Sequence, residues 1–120
     1  MSPLTIKLKR AYDAPSDDDG VRILVERLRP RVVSKSDAAI DCWMKDIAPT
    51  PALRTWFKHR PDRWEEFRAR YEAELAENGT LVDELRSLCT GRRVTFVFAA
   101  KDLERNSARV LRDFLLSRPG

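Results

Sequence analysis

Arg10, Arg27, Arg31, Lys101, Asp102 and Asn106 are the residues of this chain best suited to hold an oxyanion, and each stands at or just past the end of an apolar or alternating run. Arg27 and Arg31 bracket Pro30 at the end of Val21–Leu28. Lys101 and Asp102 follow at once on Val94-Thr-Phe-Val-Phe-Ala-Ala100. Arg10 closes the alternating Thr5–Arg10, and Asn106 heads the last helical segment. Guanidinium forks, an ammonium and a helix N-terminus suit a phosphate or carboxylate. Asp102 could orient Arg27 or Arg31, or act as a base. His59, the single histidine, is the other candidate for proton transfer. The competing reading of the same charges is an internal Arg–Asp ion-pair network.

Other chemistries find less support. There is no GxGxxG and no GxxxxGK[ST], so the standard nucleotide loops are absent. Cys42 and Cys89 are far apart and sit among apolar neighbours, which fits buried free thiols better than a nucleophile or a zinc set. No metal site is expected, and no cofactor is indicated. The Trp56–Trp64 run mixes aromatics with bases, as single-strand nucleic-acid binders do. The helical spacing of Trp56, Phe57 and Trp64 favours core packing instead.

These residues need elements to position them. Val94–Ala100 is apolar on both alternating faces and reads as a strand buried on both sides. Thr5–Arg10 alternates and reads as a half-buried strand near an edge. Ala14–Gly20 reads as an acidic turn. Val21–Leu28 favours strand by its Val-Ile-Leu-Val content, and Ile40–Met44 allows a short third strand. Thr50 with Pro51 opens a short helix. Asp62 and Glu65 have the capping-box spacing for a longer one, with Trp64, Phe67, Tyr71 and Leu75 on one face and Asn78-Gly79 at its end. Thr80 opens a helix with Leu81, Leu85 and Leu88 inward. A last helix, capped by Asn106 or Ser107, turns Val110, Leu111, Phe114 and Leu115 inward and carries a stripe of Arg105, Arg109 and Arg112. Strands separated by helices predict an α/β fold: a small three-layer domain, 1–120, whose mostly parallel sheet of about four strands is flanked by helices.

The chain has 120 residues, 42% hydrophobic and 35% charged, with a formal net charge of +4. That balance describes a single globular domain with a charged surface. It permits a nucleotide, phosphate or nucleic acid as partner without requiring one. Met1–Arg10 has no apolar core of a signal peptide, and no stretch approaches membrane-spanning length. A cytoplasmic location, with no membrane partner, is the expectation.

Ile6–Asp13, Asp19–Leu28, Pro30-Arg31, Ser34-Lys35 and Trp43–Pro49 resemble the corresponding segments of the YeaO-like proteins, the bacterial and archaeal family of unknown function 488. Leu53–Phe57, His59, Arg63-Trp64, Phe67, Arg70-Tyr71 and Ala99–Asp102 with Asn106 continue the resemblance along nearly the whole chain. It implies one site built from Arg27, Pro30, Arg31, Lys101 and Asp102. The sequence departs from the family pattern in having Arg29 where Trp is usual, Val32 for Gly, and Arg105-Asn106-Ser107 for His-Asn-Asn. Histidine-based chemistry beside Asn106 is therefore not expected. The expected function is binding of, or action on, a phosphate-bearing ligand such as a nucleotide or nucleic acid at the basic strand ends. The alternative is a non-catalytic module whose arginine stripe docks an acidic protein.

Overall fold

The computed structural model describes residues 4–27, 39–100 and 102–117. Four strands form one parallel sheet: β1 (Thr5–Arg10), β2 (Val21–Leu24), β3 (Cys42–Trp43) and β4 (Arg93–Phe98), in the order β1-β4-β2-β3. Among the described residues the α-helices are α1 (Pro51–Phe57), α2 (Trp64–Glu77), α3 (Gly79–Cys89) and α4 (Ser107–Ser117), and helical residues outnumber strand residues. This is an α/β fold with a four-stranded parallel sheet.

β4 takes the centre because its sequence tolerates nothing else. Val94 to Phe98 is buried throughout, and β4 pairs with β1 on one side and β2 on the other. Every second side chain enters one of two clusters. Val94, Phe96 and Phe98 join Ile23, Val25, Ile6 and Leu8 on the face that receives all four α-helices. Val97 faces the other way with Leu24, Ala11 and Ile40.

Along that second face the register aligns Lys7 with Thr95 and Thr95 with Arg22. The acidic turn folds onto this row as a 3-10 helix, Asp17–Asp19. Asp19 is 1% exposed and takes Lys7 at 2.9 Å, Lys9 at 3.2 Å and Arg22 at 2.5 Å. Ser16 adds its hydroxyl at 2.8 Å and its backbone N–H at 3.1 Å. Thr95 Oγ1 donates to the Asp19 carbonyl at 2.8 Å, which ties the turn to β4. Gly20 then turns the chain into β2 at φ +67° and ψ −139°.

The helices and the shorter strands follow their sequence signals with some adjustments. Thr50 Oγ1 caps α1 by accepting the Leu53 N–H, with Pro51 at the first helical position. Asp62 and Glu65 form no capping box: residues 61–63 make a 3-10 turn, and α2 begins after Arg63. α3 starts one residue earlier than expected, at Gly79. Its fully buried residues are Val82, Leu85 and Cys89, with Leu81 and Leu88 only half-buried beside them. β2 and β3 are shorter than the runs that announced them, ending at Leu24 and Trp43. Apolar content extends past each strand because Val25 and Met44 are buried off the ladder's end.

Phe57 stacks on Phe67 with centroids 4.3 Å apart, and Trp64 packs on Phe67 at 5.7 Å. Trp64 and Trp56 are half-buried, so the core reading holds only in part for the indoles. Arg70 and Arg63 lie over the Trp56 ring at 4.4 and 5.2 Å and cover it with guanidinium groups. Half-burial scales down the cost of truncation. Trp64→Ala is expected to lose about 2 kcal/mol, below the ~3–5 kcal/mol of a fully buried aromatic. Urea unfolding checks this, and a loss under ~0.5 kcal/mol would place the indole outside the packed cluster.

Candidate functional site

In open parallel sheets, ligands collect beyond the carboxyl ends of strands whose outgoing segments part. Here β2 and β4 are neighbours. β2 pairs on its far side with β3, whereas β4 leads to α4, which packs back over β4 and β1. A cleft of about 440 Å³ opens at that point. Glu26 lines it from the end of β2, Ala99 and Ala100 from the end of β4. Arg54 and Thr55 come from α1, His59 from the following turn, and Arg105, Asn106 and Ser107 from the head of α4.

Glu26 is the centre of this arrangement. Its Oε1 accepts the Ala99 N–H at 2.9 Å, bridging the ends of the two strands. Burial pushes its carboxyl above the ordinary glutamate value. The Ala99 hydrogen bond and the nearby charges of Arg54 and His59 offset only part of that rise. Its backbone carbonyl accepts Trp43 Nε1–H at 2.7 Å, so β3 also holds the strand end in place. His59 sits in left-handed backbone at φ +56°, after Lys58 at +50° has ended α1, and its ring lies 5.8 Å from Phe57. That turn swings the imidazole to the cleft wall.

The head of α4 is built by two side chains. Asp102 Oδ1 accepts the N–H groups of Glu104 and Arg105, each at 2.9 Å. Asn106 Oδ1 accepts the Arg109 N–H at 2.9 Å, and its amide donates to the Asp102 carbonyl at 3.1 Å. Asn106 is 3% exposed and is the cap that the sequence indicates. The N–H groups of Arg105 and Glu104 hold the Asp102 carboxyl below the usual aspartate value, with the Arg105 charge adding to them. An ionised carboxylate with those bonds is a weak base, and Asp102 acts here as a turn former.

The strand-end residues do not all meet. Arg10 donates to the Ala100 carbonyl at 3.2 Å and lies over Tyr12 at 5.0 Å, at the rim of the cleft and outside its lining. Arg27 turns away from Asn106: it donates to the Pro49 carbonyl at 3.3 Å and the Ala48 carbonyl at 3.2 Å, with Asp46 at 3.5 Å. It borders a separate hollow with Tyr71 and Glu74. Carbonyls exposed by the 45–47 turn capture the guanidinium before the strand ends can. Arg31 and Lys101 lie outside the described residues. The arginine stripe of α4 is internally paired, Arg105 with Asp102 at 3.6 Å and Arg109 and Arg112 with Asp113 at 4.0 and 3.1 Å.

Glu26 and Arg54 were not singled out by the sequence. Glu26 looks like one polar position in an apolar run, and Arg54 like the exposed side of a helix. The available signal was the pair of alanines after β4, which leaves room for a carboxylate from the next strand. Cys89 is buried, and burial pushes its thiol up to about 11, as an inert core cysteine requires. Among the described residues no helix is long and apolar enough to cross a membrane, and no group of three or more His, Cys, Asp or Glu is placed to hold a metal.

Residues 5–119 match the profile of the DUF488-N3i family, described as the inactive DUF488-N3 subclade. The chain is 41% identical over 114 residues to the uncharacterized protein Rv3073c of Mycobacterium tuberculosis (strain H37Rv), covering 94% of this chain and 95% of that one. It is 39% identical over 114 residues to the uncharacterized protein YeaO of Escherichia coli K12, covering 95% of this chain and 99% of YeaO. No solved structure matches.

Proposed function

Because this chain belongs to the DUF488 family of YeaO-like proteins, in a subclade described as inactive, we propose that its cleft binds a phosphate-bearing ligand without turning it over. The observation that carries this reading is the convergence of Arg54, His59, Arg105 and the α4 N-terminus on one cleft at the ends of β2 and β4. Cations and helix N–H groups around a concave site favour an anion. A cleft of this size lies in the range that encloses a small molecule. Asp102 is held ionised by backbone N–H groups, which suits a turn former better than a base.

Inorganic phosphate should raise the melting temperature more than chloride does at equal ionic strength. At ten times its Kd the gain is about 1.4 kcal/mol, or roughly 6 °C for a domain of this size. Arg54→Ala should abolish the difference while leaving the melting temperature in chloride nearly unchanged, because Arg54 is exposed. Equal stabilisation by both anions in the wild-type protein would remove the basis for the proposal.

A further inference from the structure

This inference rests on the cleft being a phosphate-ligand site, and it concerns what the rest of that ligand carries. Glu26 is out of place in a cleft made for an anion alone. Its charge repels phosphate, and its partial burial costs solvation. Only one of its oxygens is used: Oε1 takes the Ala99 N–H, and Oε2 accepts no hydrogen bond among the described residues. The side chain nevertheless lines the cleft, with Arg54, His59 and Arg105 as its other charged or titratable walls. A carboxylate acceptor set among cationic donors is what distinguishes ligands that bear N–H groups. We propose that Glu26 is the specificity-determining residue of this cleft, its Oε2 accepting an N–H from the base edge of a nucleotide whose phosphate lies against Arg54 and the head of α4. A carboxylate accepting from a base amino group is an established pairing, and the cleft volume admits a mononucleotide.

The test compares CMP, AMP and ribose 5-phosphate by titration calorimetry on the wild-type protein and on Glu26→Gln. The glutamine carbonyl can keep the Ala99 bond, so the cleft-facing atom changes from acceptor to donor at constant shape. Wild type should bind at least one nucleotide about tenfold more tightly than ribose 5-phosphate, as a hydrogen bond to a charged acceptor allows. Glu26→Gln should erase that preference while ribose 5-phosphate binds as well as before or better, since a repelling charge has gone. A purely structural role for Glu26 would instead weaken all three ligands together. Should Glu26→Gln fail to fold, Glu26→Ala gives the same readout, because it also removes the acceptor. If ribose 5-phosphate binds in an Arg54-dependent way but the nucleotides gain nothing, or keep their gain in the variant, this inference falls and the phosphate site stands. If none of the three binds, both fall.

Discussion

Gly20→Ala is expected to lower the stability of the domain by at least ~4 kcal/mol, at the upper end of what single substitutions do. Two separate costs combine. Gly20 occupies φ +67° and ψ −139°, a backbone region that is essentially closed to residues with a Cβ. A Cβ placed there would also lie 2.1 Å from the Arg93 carbonyl oxygen and 2.6 Å from its carbon. Those are backbone atoms at the start of the central strand and cannot swing aside as a side-chain tip would. Relief would require β2 and the acidic turn to move off β4. The contrast is Gly91, which has a positive φ of 76° but no atom within 4 Å of an added Cβ. Gly91→Ala should therefore cost only the backbone strain, about 1–2 kcal/mol. Denaturant unfolding of the two variants separates the terms, and similar losses at both positions would show that the contact with Arg93 is readily relieved.

Asp19→Asn is expected to cost about 3 kcal/mol at neutral pH. Breaking one side of a buried ion pair typically costs ~3–5 kcal/mol, and the lower end applies because Lys7 is partly in water. The loss is chiefly that of the Asp19 charge beside Arg22, which is 3% exposed and whose guanidinium pairs with it inside the fold. Burial alone would raise the Asp19 carboxyl. Hydrogen bonds from Lys7, Ser16 and Lys9 outweigh it and hold the group far below the ordinary aspartate range. A carboxyl depressed on folding binds fewer protons in the native state. Its stabilisation is complete above the ordinary aspartate value and drains away as pH falls below it toward the folded one. The gap between wild type and Asp19→Asn should accordingly narrow with acidification from pH 6 to pH 3. A gap independent of pH would mean that the carboxylate contributes packing and not charge.

The central strand was legible because burial on both faces leaves a mark that no surface segment carries. Val94 to Phe98 has no polar face, and Asn106 ahead of an apolar helical pattern is an equally local signal. Asp19 was not legible. It stands in a run of three aspartates, and only the register of Lys7, Thr95 and Arg22 across three strands selects it. Glu26 owes its position to Ala99, 73 residues further along, and a sequence window around Val21–Leu28 holds no trace of that contact. Arg27 misled for the same reason. Its apparent destination was the neighbouring strand end, but the carbonyls of Ala48 and Pro49, which no local sequence signal marks as its partners, lie closer.

The place of β4 in the sheet also governs when the domain can form. β1 and β2 are consecutive in sequence yet never touch as strands, since β4 lies between them and pairs Thr5 with Arg93 and Val21 with Val94. During synthesis β1 emerges without a strand partner and must wait for almost the whole chain, and β2 has only the short β3 beside it until then. Until Phe98 has been made, Ile6 and Leu8 have no strand to order them and Ile23 has only Cys42 of the two-residue β3, although α2 and α3 can already pair. Folding is therefore a late, long-range closure, in which a nearly finished chain inserts its most apolar strand between two that are already waiting. For a nascent chain this is a prolonged interval of exposed strand edges. The lysines at 7 and 9 are suited to that interval, because charge on a waiting edge discourages it from pairing with another molecule.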